Sequence, residues 1–378
     1  MIAVLLHPEF NKEYFIVIFK KKKMEKKISG KHGNSVAVMK ERMAAVVLAL
    51  VLLLGGGLTA KAQNTAVTTC SQSAATAIQQ NPNWKANAAE WQKLKGEITL
   101  YMTNDMGRNG YYDQKPIAEL MGEMADVVGP ECVIAAGDIH HFNGVASTQD
   151  PLWLTNYEWV YSHPELMLDW FAVCGNHEYR GNTQAFMDYG KVSRRWMMRE
   201  KYYTKVFDHK GTTLRVVFLD TTPLIDSYRK ASAKYPDACK QDVEAQLAWL
   251  DETLKNAKED WVIVVGHHPI YAYTTKKESE RLDMQKRLLP VLHKYNNVAI
   301  YACGHIHNFQ HIQKKGDNID YVVNSSSSLA RPVKPTDGTV FCSSADGFSV
   351  ISADKKQLRM SMIDKDGKII HTIEKVKK

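Results

Sequence analysis

The segment Gly137–Gly144 reads GDIHHFNG and follows directly on the apolar run CVIAA at residues 132–136. It places an aspartate and two adjacent histidines at the end of a predicted strand. A Gly-Asp pair after a strand is most often a turn, so this segment alone decides nothing. It gains meaning from the other strands of the chain, because four of them end in the same kind of polar cluster.

The four further clusters also begin where an apolar, β-branched run ends. They read MTNDMGRNG (102–110), AVCGNHEYR (172–180), VVGHHPIYA (264–272) and YACGHIHNFQH (301–311). Ligand sites of α/β sheets lie beyond the carboxyl ends of the strands. We therefore expect the five clusters to converge on one place.

The alternation of short apolar runs with amphipathic stretches predicts an α/β fold. A possible short helix is NAAEWQKL at residues 87–94, and strands dominate after about residue 318. The predicted strands are 97–102, 132–136, 170–174, 214–219, 261–265 and 298–303, and the predicted helices are 114–128, 242–257 and 280–295.

The clusters supply oxygen and imidazole groups without a required thiolate, a set that suits Zn, Mn or Fe. There are too many groups for one tetrahedral ion and enough for two metals that share a carboxylate. Each motif alone has another reading: GNHE as a capped turn, GHHP as a loop histidine. The ordered combination favours a dimetal site. The candidates are Asp105, Asp138, His140, His141, Asn176, His177, Glu178, His267, His268, His305 and His307.

The ordered motifs resemble the calcineurin-like metallophosphoesterase superfamily, and within it the small, tartrate-resistant type of purple acid phosphatase. The likeness covers roughly residues 97–330 and includes DMGRNG, GDIHHFNGV, GNHE, KVSRRW and CGHIHNFQ. It implies a four-layer α/β sandwich, in which two mixed β-sheets are flanked by α-helices. It also implies a metal-dependent phosphoric ester hydrolase with two metal ions (Fe, Zn or Mn) and a metal-bound hydroxide that attacks phosphorus.

The resemblance assigns roles by motif. Asp138 would bridge the metals, and His177 would act as general acid or transition-state donor, with Asn176 and His177 near the substrate. Glu178 and His268 receive no direct role in metal binding. The remaining ligands would be Asp105 and His307 on the first metal, and Asn176, His267 and His305 on the second.

The sequence departs from the family pattern at three places. Asn104 stands where the first acidic motif usually has glycine. The loop after GHHPIYA usually supplies a histidine near the substrate but here offers Lys276 and Lys277, as phosphate contacts or as an ordinary solvated charge run. The tyrosine whose phenolate on ferric iron gives the purple colour is replaced by His141, which we predict to be a metal ligand. His140 stays open as the alternative, because a local bulge would exchange the two.

An exported phosphomonoesterase acting on a small phosphorylated substrate is the leading functional prediction. A phosphodiesterase for cyclic nucleotides or phospholipid head groups is the alternative on the same site, and a non-catalytic phospholigand-binding protein is a third reading. Nucleic-acid binding is disfavoured: residues 1–62 hold ten Lys and one Arg against four Glu, which leaves about +1 of the chain's +8 charge for the remainder. The oligomeric state cannot be read from the sequence.

Four segments are expected along the 378 residues. Residues 1–38 precede a signal-like segment and are interpreted as an over-extended start. Residues 39–62 form the predicted signal peptide, residues 63–95 a linker or N-terminal flap, and residues 96–378 the catalytic domain. The expected location is periplasmic or extracellular, without stable membrane insertion after cleavage.

The leader gives a testable cleavage site. MKERMAAVVLALVLLLGGGLTAKAQ has a basic start at Met39, an apolar core shorter than the about 20 residues of a membrane span, and an Ala60-Lys61-Ala62 motif. We expect the mature protein to begin at Gln63, as checked by N-terminal sequencing of the secreted chain. A mature chain that begins upstream of Met39 would contradict the assignment.

Overall fold

A computed structural model describes residues 82–377 of the chain, so the leader and most of the predicted linker lie outside the described residues. No helix within 82–377 is both long enough and apolar enough to cross a membrane. The strands of this part are β1 Ile98–Thr103, β2 Cys132–Ala135, β3 Asp169–Ala172, β4 Tyr203–His209, β5 Thr212–Phe218, β6 Trp261–Val265, β7 Val298–Cys303, β8 Phe309–Gln313, β9 Asp320–Val323, β10 Thr339–Ser343, β11 Gly347–Ala353, β12 Gln357–Asp364 and β13 Ile369–Val376.

The helices of the described part vary from one turn to four. Single turns of tighter helix connect several of them, as at Glu178–Arg180 after β3. The α-helices are α1 Pro82–Trp91, α2 Gln114–Val128, α3 Thr183–Asp188, α4 Asp226–Lys230, α5 Val243–Asn256 and α6 Glu278–Leu292.

The strands form two mixed sheets. The first sheet has the order β13-β12-β11-β1-β2-β3, and the second has the order β10-β8-β9-β7-β6-β5-β4. β1, β2 and β3 are parallel to one another, as are β5, β6, β7 and β9 in the second sheet. Each sheet therefore has a parallel region whose strands end at one common edge.

Strand alternation explains how the sheets pack. In β1, Ile98, Leu100 and Met102 join an apolar cluster that also contains Ile263 and Phe218 of the second sheet. The residues between them face the other way, because successive side chains of a strand point to opposite faces. This cluster is the core between the two sheets.

The outer faces of the sheets are covered by helices. Tyr101 of β1 belongs to a second apolar cluster, together with Ile117 and Leu120 of α2. Helix α2 ends at Gly129, which has a left-handed φ of 65° and donates its N–H to the Ala125 carbonyl at 2.8 Å. The order helix, sheet, sheet, helix is the predicted four-layer sandwich, which is confirmed.

The first described helix packs on this sandwich. Trp91 at the end of α1 is fully buried, and its indole N–H donates to the Gly367 carbonyl at 2.7 Å. The helix begins five residues earlier than the predicted NAAEWQKL segment and continues into a tight turn at Gln92–Leu94.

The six predicted strands and three longer helices are present, with ends that differ by up to three residues. Three strands lack a sequence prediction. β4 and β10 are the edges of the second sheet and bury little, which leaves a weak apolar pattern. β8 buries the polar side chains of Gln310 and His311, which hides its strand character.

The cysteines agree with the interpretation of three of them as small buried hydrophobic residues. Cys132, Cys174 and Cys303 are buried and free. Cys239 and Cys342 are also free thiols in this structure, while Cys70 lies outside the described residues.

The KVSRRW segment contributes a buried cation to the fold. The Arg195 guanidinium donates to the carbonyls of Tyr161 at 2.7 Å and Leu166 at 3.2 Å, and to the Glu158 carboxylate at 2.7 Å. It also lies over the Tyr157 ring, 4.5 Å from the ring centroid. The Arg195 side chain is buried, whereas its partner Glu158 is partly exposed.

We expect Arg195→Met to lower the free energy of unfolding by about 2–4 kcal/mol, because it removes an ion pair with a partly buried carboxylate and the donor to the Tyr161 carbonyl. Arg194→Met is the matched control, because Arg194 is exposed and makes one long contact of 3.4 Å. Urea unfolding measures both variants. Equal free energies of unfolding for the two variants would show that the Arg195 guanidinium does not stabilise the fold.

Candidate functional site

The predicted site residues follow the carboxyl ends of five parallel strands. Asp105 follows β1 and Asp138 follows β2, while three further strands of the two sheets end in the remaining residues. These are Asn176 and His177 after β3, His267 after β6, and His305 and His307 after β7. The structure thus brings residues from both sheets to one place, as the strand ends predict.

One group of side chains gathers around Asp105. The possible ligand atoms of Asp105, His141 and His307 all lie within 4.8 Å of one another. The His307 Nδ1–H donates to the Leu329 carbonyl at 2.9 Å, which leaves Nε2 to face Asp105 Oδ1 at 3.1 Å. A ring orientation fixed by a carbonyl in this way is typical of histidine metal ligands.

A second group gathers around His267. Its Nδ1–H donates to the Ala136 carbonyl at 2.9 Å, and its Nε2 lies 3.1 Å from Asp138 Oδ2 and 3.2 Å from His305 Nδ1. His305 in turn places Nε2 3.2 Å from the Glu280 carboxylate. His267 therefore directs one nitrogen toward Asp138, and His305 directs one toward His267.

Asp138 lies between the two groups. It forms one compact set with Asp105 and His267 and another with His141 and His177. Burial opposes ionisation of this carboxyl, but the nearby His267 and His177 hold its pKa well below the usual range. Burial likewise opposes protonation of His267, and the Asp138 and Asp105 charges outweigh it and raise the pKa of His267 to about 9.

The two adjacent histidines of GDIHHFNG have separate positions. His141 reaches the site. Both of its ring nitrogens are buried there, and neither has a hydrogen-bond partner. His140 turns into the core, where its ring lies 4.4 Å from that of Trp153 and 6.0 Å from that of Phe186. The geometry agrees with the preference for His141 as the candidate ligand.

Buried polar atoms without partners mark where metal ions fit. The Asn176 Oδ1 atom accepts no hydrogen bond, and neither does Asp105 Oδ1. Such atoms are costly in a folded protein unless something satisfies them. The donor set of carboxylate, amide oxygen and neutral imidazole matches Zn, Fe or Mn. The residues present therefore fit a pair of metal ions.

The backbone at the site is held in a rarely populated conformation. Asp105, Asp138, His305 and His307 all have φ between 51° and 74°, a left-handed region that non-glycine residues seldom adopt. Strain of this kind concentrates at functional sites. Gly175 is required for a related reason, because a Cβ there would lie 2.2 Å from Asp138 Oδ1.

Glu178 supports the aspartate loop without facing the metal groups. Its carboxylate accepts the backbone N–H groups of Asp138, Ile139, His140 and Gly175 at 2.7–3.1 Å. Burial and the Asp138 charge raise the pKa of Glu178 to about 7, while the N–H donors act in the opposite direction. This carboxylate is therefore a positioning group, in agreement with its sequence interpretation.

His177 is held from both sides. Its backbone N–H donates to Asp138 Oδ1 at 2.8 Å, and its ring Nδ1–H donates to the Phe142 carbonyl at 2.6 Å. Nε2 is left facing the site, 3.7 Å from Asp138 Oδ2. Burial and the Arg180 guanidinium lower the pKa of His177, against the pull of Asp138.

The Asn104 departure is accommodated by the structure. Its amide donates to Asp105 Oδ2 at 2.7 Å, and its carbonyl oxygen accepts from the Asn324 amide at 2.6 Å. Asn104 therefore supports the Asp105 carboxylate.

One site residue, Glu280, went unassigned by the sequence, and two others, Lys276 and His268, lie closer to the site than their interpretation suggested. Glu280 lies against His305 from the start of α6, without a motif to mark it. Lys276 places its ammonium on the same ring, whereas Lys277 is exposed. His268 forms a compact set with His267 and His305, and its Nδ1 lies 2.9 Å from the Thr221 hydroxyl.

Comparison with known proteins agrees with this arrangement. The calcineurin-like phosphoesterase family matches residues 98–309. Purple acid phosphatase 3 of Arabidopsis thaliana is 28% identical over 300 residues, covering 76% of this chain and 80% of the relative. Tartrate-resistant acid phosphatase type 5 of Oryctolagus cuniculus is 29% identical over 266 residues, covering 66% of this chain and 81% of the relative.

Solved structures show the same fold. The protein described as GAP50, the anchor in the inner membrane complex of Plasmodium, superimposes with a TM-score of 0.64 at 22% identity, covering 74% of this chain and 89% of its own. A dimetal phosphatase from Danio rerio superimposes with a TM-score of 0.53 at 14% identity, covering 75% of this chain and 99% of its own.

The position of His141 predicts the colour of the iron-loaded protein. With imidazole instead of phenolate at this place, ferric iron should give no purple charge-transfer band, and His141→Tyr should introduce one. Tyr179 is not positioned to substitute, because its hydroxyl donates to Asp220 away from the clusters. Visible absorption measures the difference, with zinc-loaded His141→Tyr as the colourless control. A purple wild-type protein would refute the assignment.

Proposed function

Because this chain belongs to the calcineurin-like phosphoesterase family, we propose that it hydrolyses phosphomonoesters at a two-metal site centred on Asp138. The broader statement, a metal-dependent phosphoester hydrolase, follows from the family and from its acid phosphatase relatives. The observation that carries the proposed two-metal site is that two groups of candidate ligands meet at one buried carboxylate, Asp138.

We assign the ligands from the contacts of the two groups. Asp138 is the shared carboxylate, because it lies next to both. When bound, two metal ions of this kind stabilise charge on the phosphoryl group and supply the nucleophile from water; Fe, Zn and Mn suit the donors. The remaining ligands are Asp105, His141 and His307 for one ion, and Asn176, His267 and His305 for the other.

His177 is the proposed proton donor to the leaving group. Its Nδ1–H is held by the Phe142 carbonyl, so Nε2, which faces the site, is the nitrogen that would carry the second proton of the imidazolium. Transfer of that proton to the ester oxygen neutralises the departing alkoxide. Asn176 and His177 also lie where the substrate would contact the protein, because both follow the end of β3.

The choice of a monoester rests on the relatives, which are named as acid phosphatases. The phosphodiesterase alternative uses the same residues, because loops outside the metal groups select the substrate. The proposed substrate is a small phosphorylated molecule.

We also propose that the catalytic domain spans residues 96–378 and that the protein is exported to the periplasm or the cell exterior. The leader pattern at residues 39–62 supports export. Its cleavage leaves a chain that starts before α1.

The test uses residues 63–378, purified and loaded with zinc, iron or manganese. Metal content is measured beside hydrolysis of an aryl phosphomonoester and the matching diester. We expect two metals per chain and faster turnover of the monoester. His177→Ala should keep both metals and lose about 10²–10⁴-fold in kcat. His209→Ala, an exposed histidine of β4, is the control.

Three results would change the proposal. Hydrolysis of neither ester with any metal would reject it. Faster turnover of the diester would replace the monoesterase with the phosphodiesterase. Loss of metal from His177→Ala would make that residue a ligand and not a proton donor.

A further inference from the structure

The loop between β6 and α6 carries two adjacent lysines in opposite environments. Lys277 is exposed, whereas Lys276 is partly buried and directed into the site. The Lys276 Nζ lies 2.9 Å from Nε2 and 3.2 Å from Nδ1 of His305. Its backbone N–H donates to the Thr274 hydroxyl at 3.0 Å, which fixes the turn that directs it inward.

This ammonium has no anionic partner of its own. Within residues 82–377 no carboxylate lies within 4.0 Å of Nζ, and its hydrogen-bond contacts are to the His305 ring alone. An ammonium has three donors and no acceptor, and a partly buried charge is stable only with a compensating group. The two nitrogens of His305 also face His267 and Glu280. Burial lowers the pKa of Lys276, and the charges of Asp138, Asp105 and Glu280 oppose it without forming an ion pair.

Other cations lie near the site. The Arg108 guanidinium is buried against the Phe142 ring at 5.1 Å, and its Nε has no hydrogen-bond partner. The charge of Arg331 lowers the pKa of both Arg108 and Lys276, after burial as the larger cause. The Asp105 and Asp138 charges act in the opposite direction and raise the pKa of both cations, but neither carboxylate forms an ion pair within 4.0 Å of Lys276 or Arg108.

We propose that Lys276 is a substrate-binding residue that selects dianionic phosphoryl groups over monoanionic ones. The inference rests on the proposed phosphoesterase function and names its selectivity. A phosphomonoester carries a second negative charge and a further unesterified oxygen that a diester lacks. An ammonium without an ion-pair partner, placed on His305, can donate to that oxygen. The same contact favours retention of inorganic phosphate, the product.

The experiment compares Lys276→Met with Lys277→Met in the metal-loaded chain. Both variants remove one ammonium and keep an unbranched side chain one atom shorter, but only Lys276 is in contact with the site. Calorimetry at about pH 8 measures binding of inorganic phosphate, a dianion there, and of dimethyl phosphate, a monoanion. Metal content and thermal unfolding are recorded for each variant, and Lys276→Arg tests whether a cation alone restores binding.

We expect Lys276→Met to weaken phosphate binding by about ten- to hundred-fold, the range of one charge-assisted hydrogen bond. Dimethyl phosphate binding should change by less than about two-fold, Lys277→Met should resemble wild type, and Lys276→Arg should recover part of the loss. The ratio of monoester to diester kcat/KM should fall with the phosphate affinity.

The outcomes separate this inference from the function on which it rests. Equal phosphate affinities for the two methionine variants would overturn the role of Lys276 while leaving the hydrolase intact. Phosphate binding that depends on Lys276, in a protein that hydrolyses no ester, would overturn the hydrolase proposal and support the anion contact. A loss of metal from Lys276→Met would show that the lysine holds His305 in place, and no phosphate binding by wild type would overturn both.

Discussion

The interaction on which the site depends is the set of four backbone N–H groups that donate to the Glu178 carboxylate. Three of them belong to the loop that carries Asp138, and the fourth belongs to Gly175 after the neighbouring strand. One buried side chain therefore ties the loops after β2 and β3 together. Without it, these peptide groups would be buried without acceptors, an arrangement that folded proteins avoid.

The consequence of this tie is visible in the conformation of the chain. Asp138 adopts a left-handed φ of 55°, and Gly175 approaches it so closely that no side chain fits there. His177 completes the arrangement with a backbone N–H bond to Asp138. The Asp138 carboxylate is thus oriented by protein contacts, which is the preorganisation that catalytic electrostatics requires.

Much of this architecture could be predicted from the sequence, because apolar runs ending in polar clusters determine both the strands and their common edge. The ambiguity between His140 and His141 could not be resolved in that way. Its resolution depends on Trp153 and Phe186, which are distant in sequence and enclose His140. The supporting roles of Glu280 and Asn104 were also inaccessible, because each depends on a contact between loops that no local pattern encodes.

We propose that the strand-end clusters form one site for two metal ions beside Asp138. Anomalous diffraction from a crystal of the metal-loaded protein is the decisive experiment. We expect two peaks per chain, about 3.5–4 Å apart, one near Asp105 and His307 and the other near His267 and His305. A single peak, or a peak only at the separate surface group of Glu119, Glu123 and His163, would contradict it.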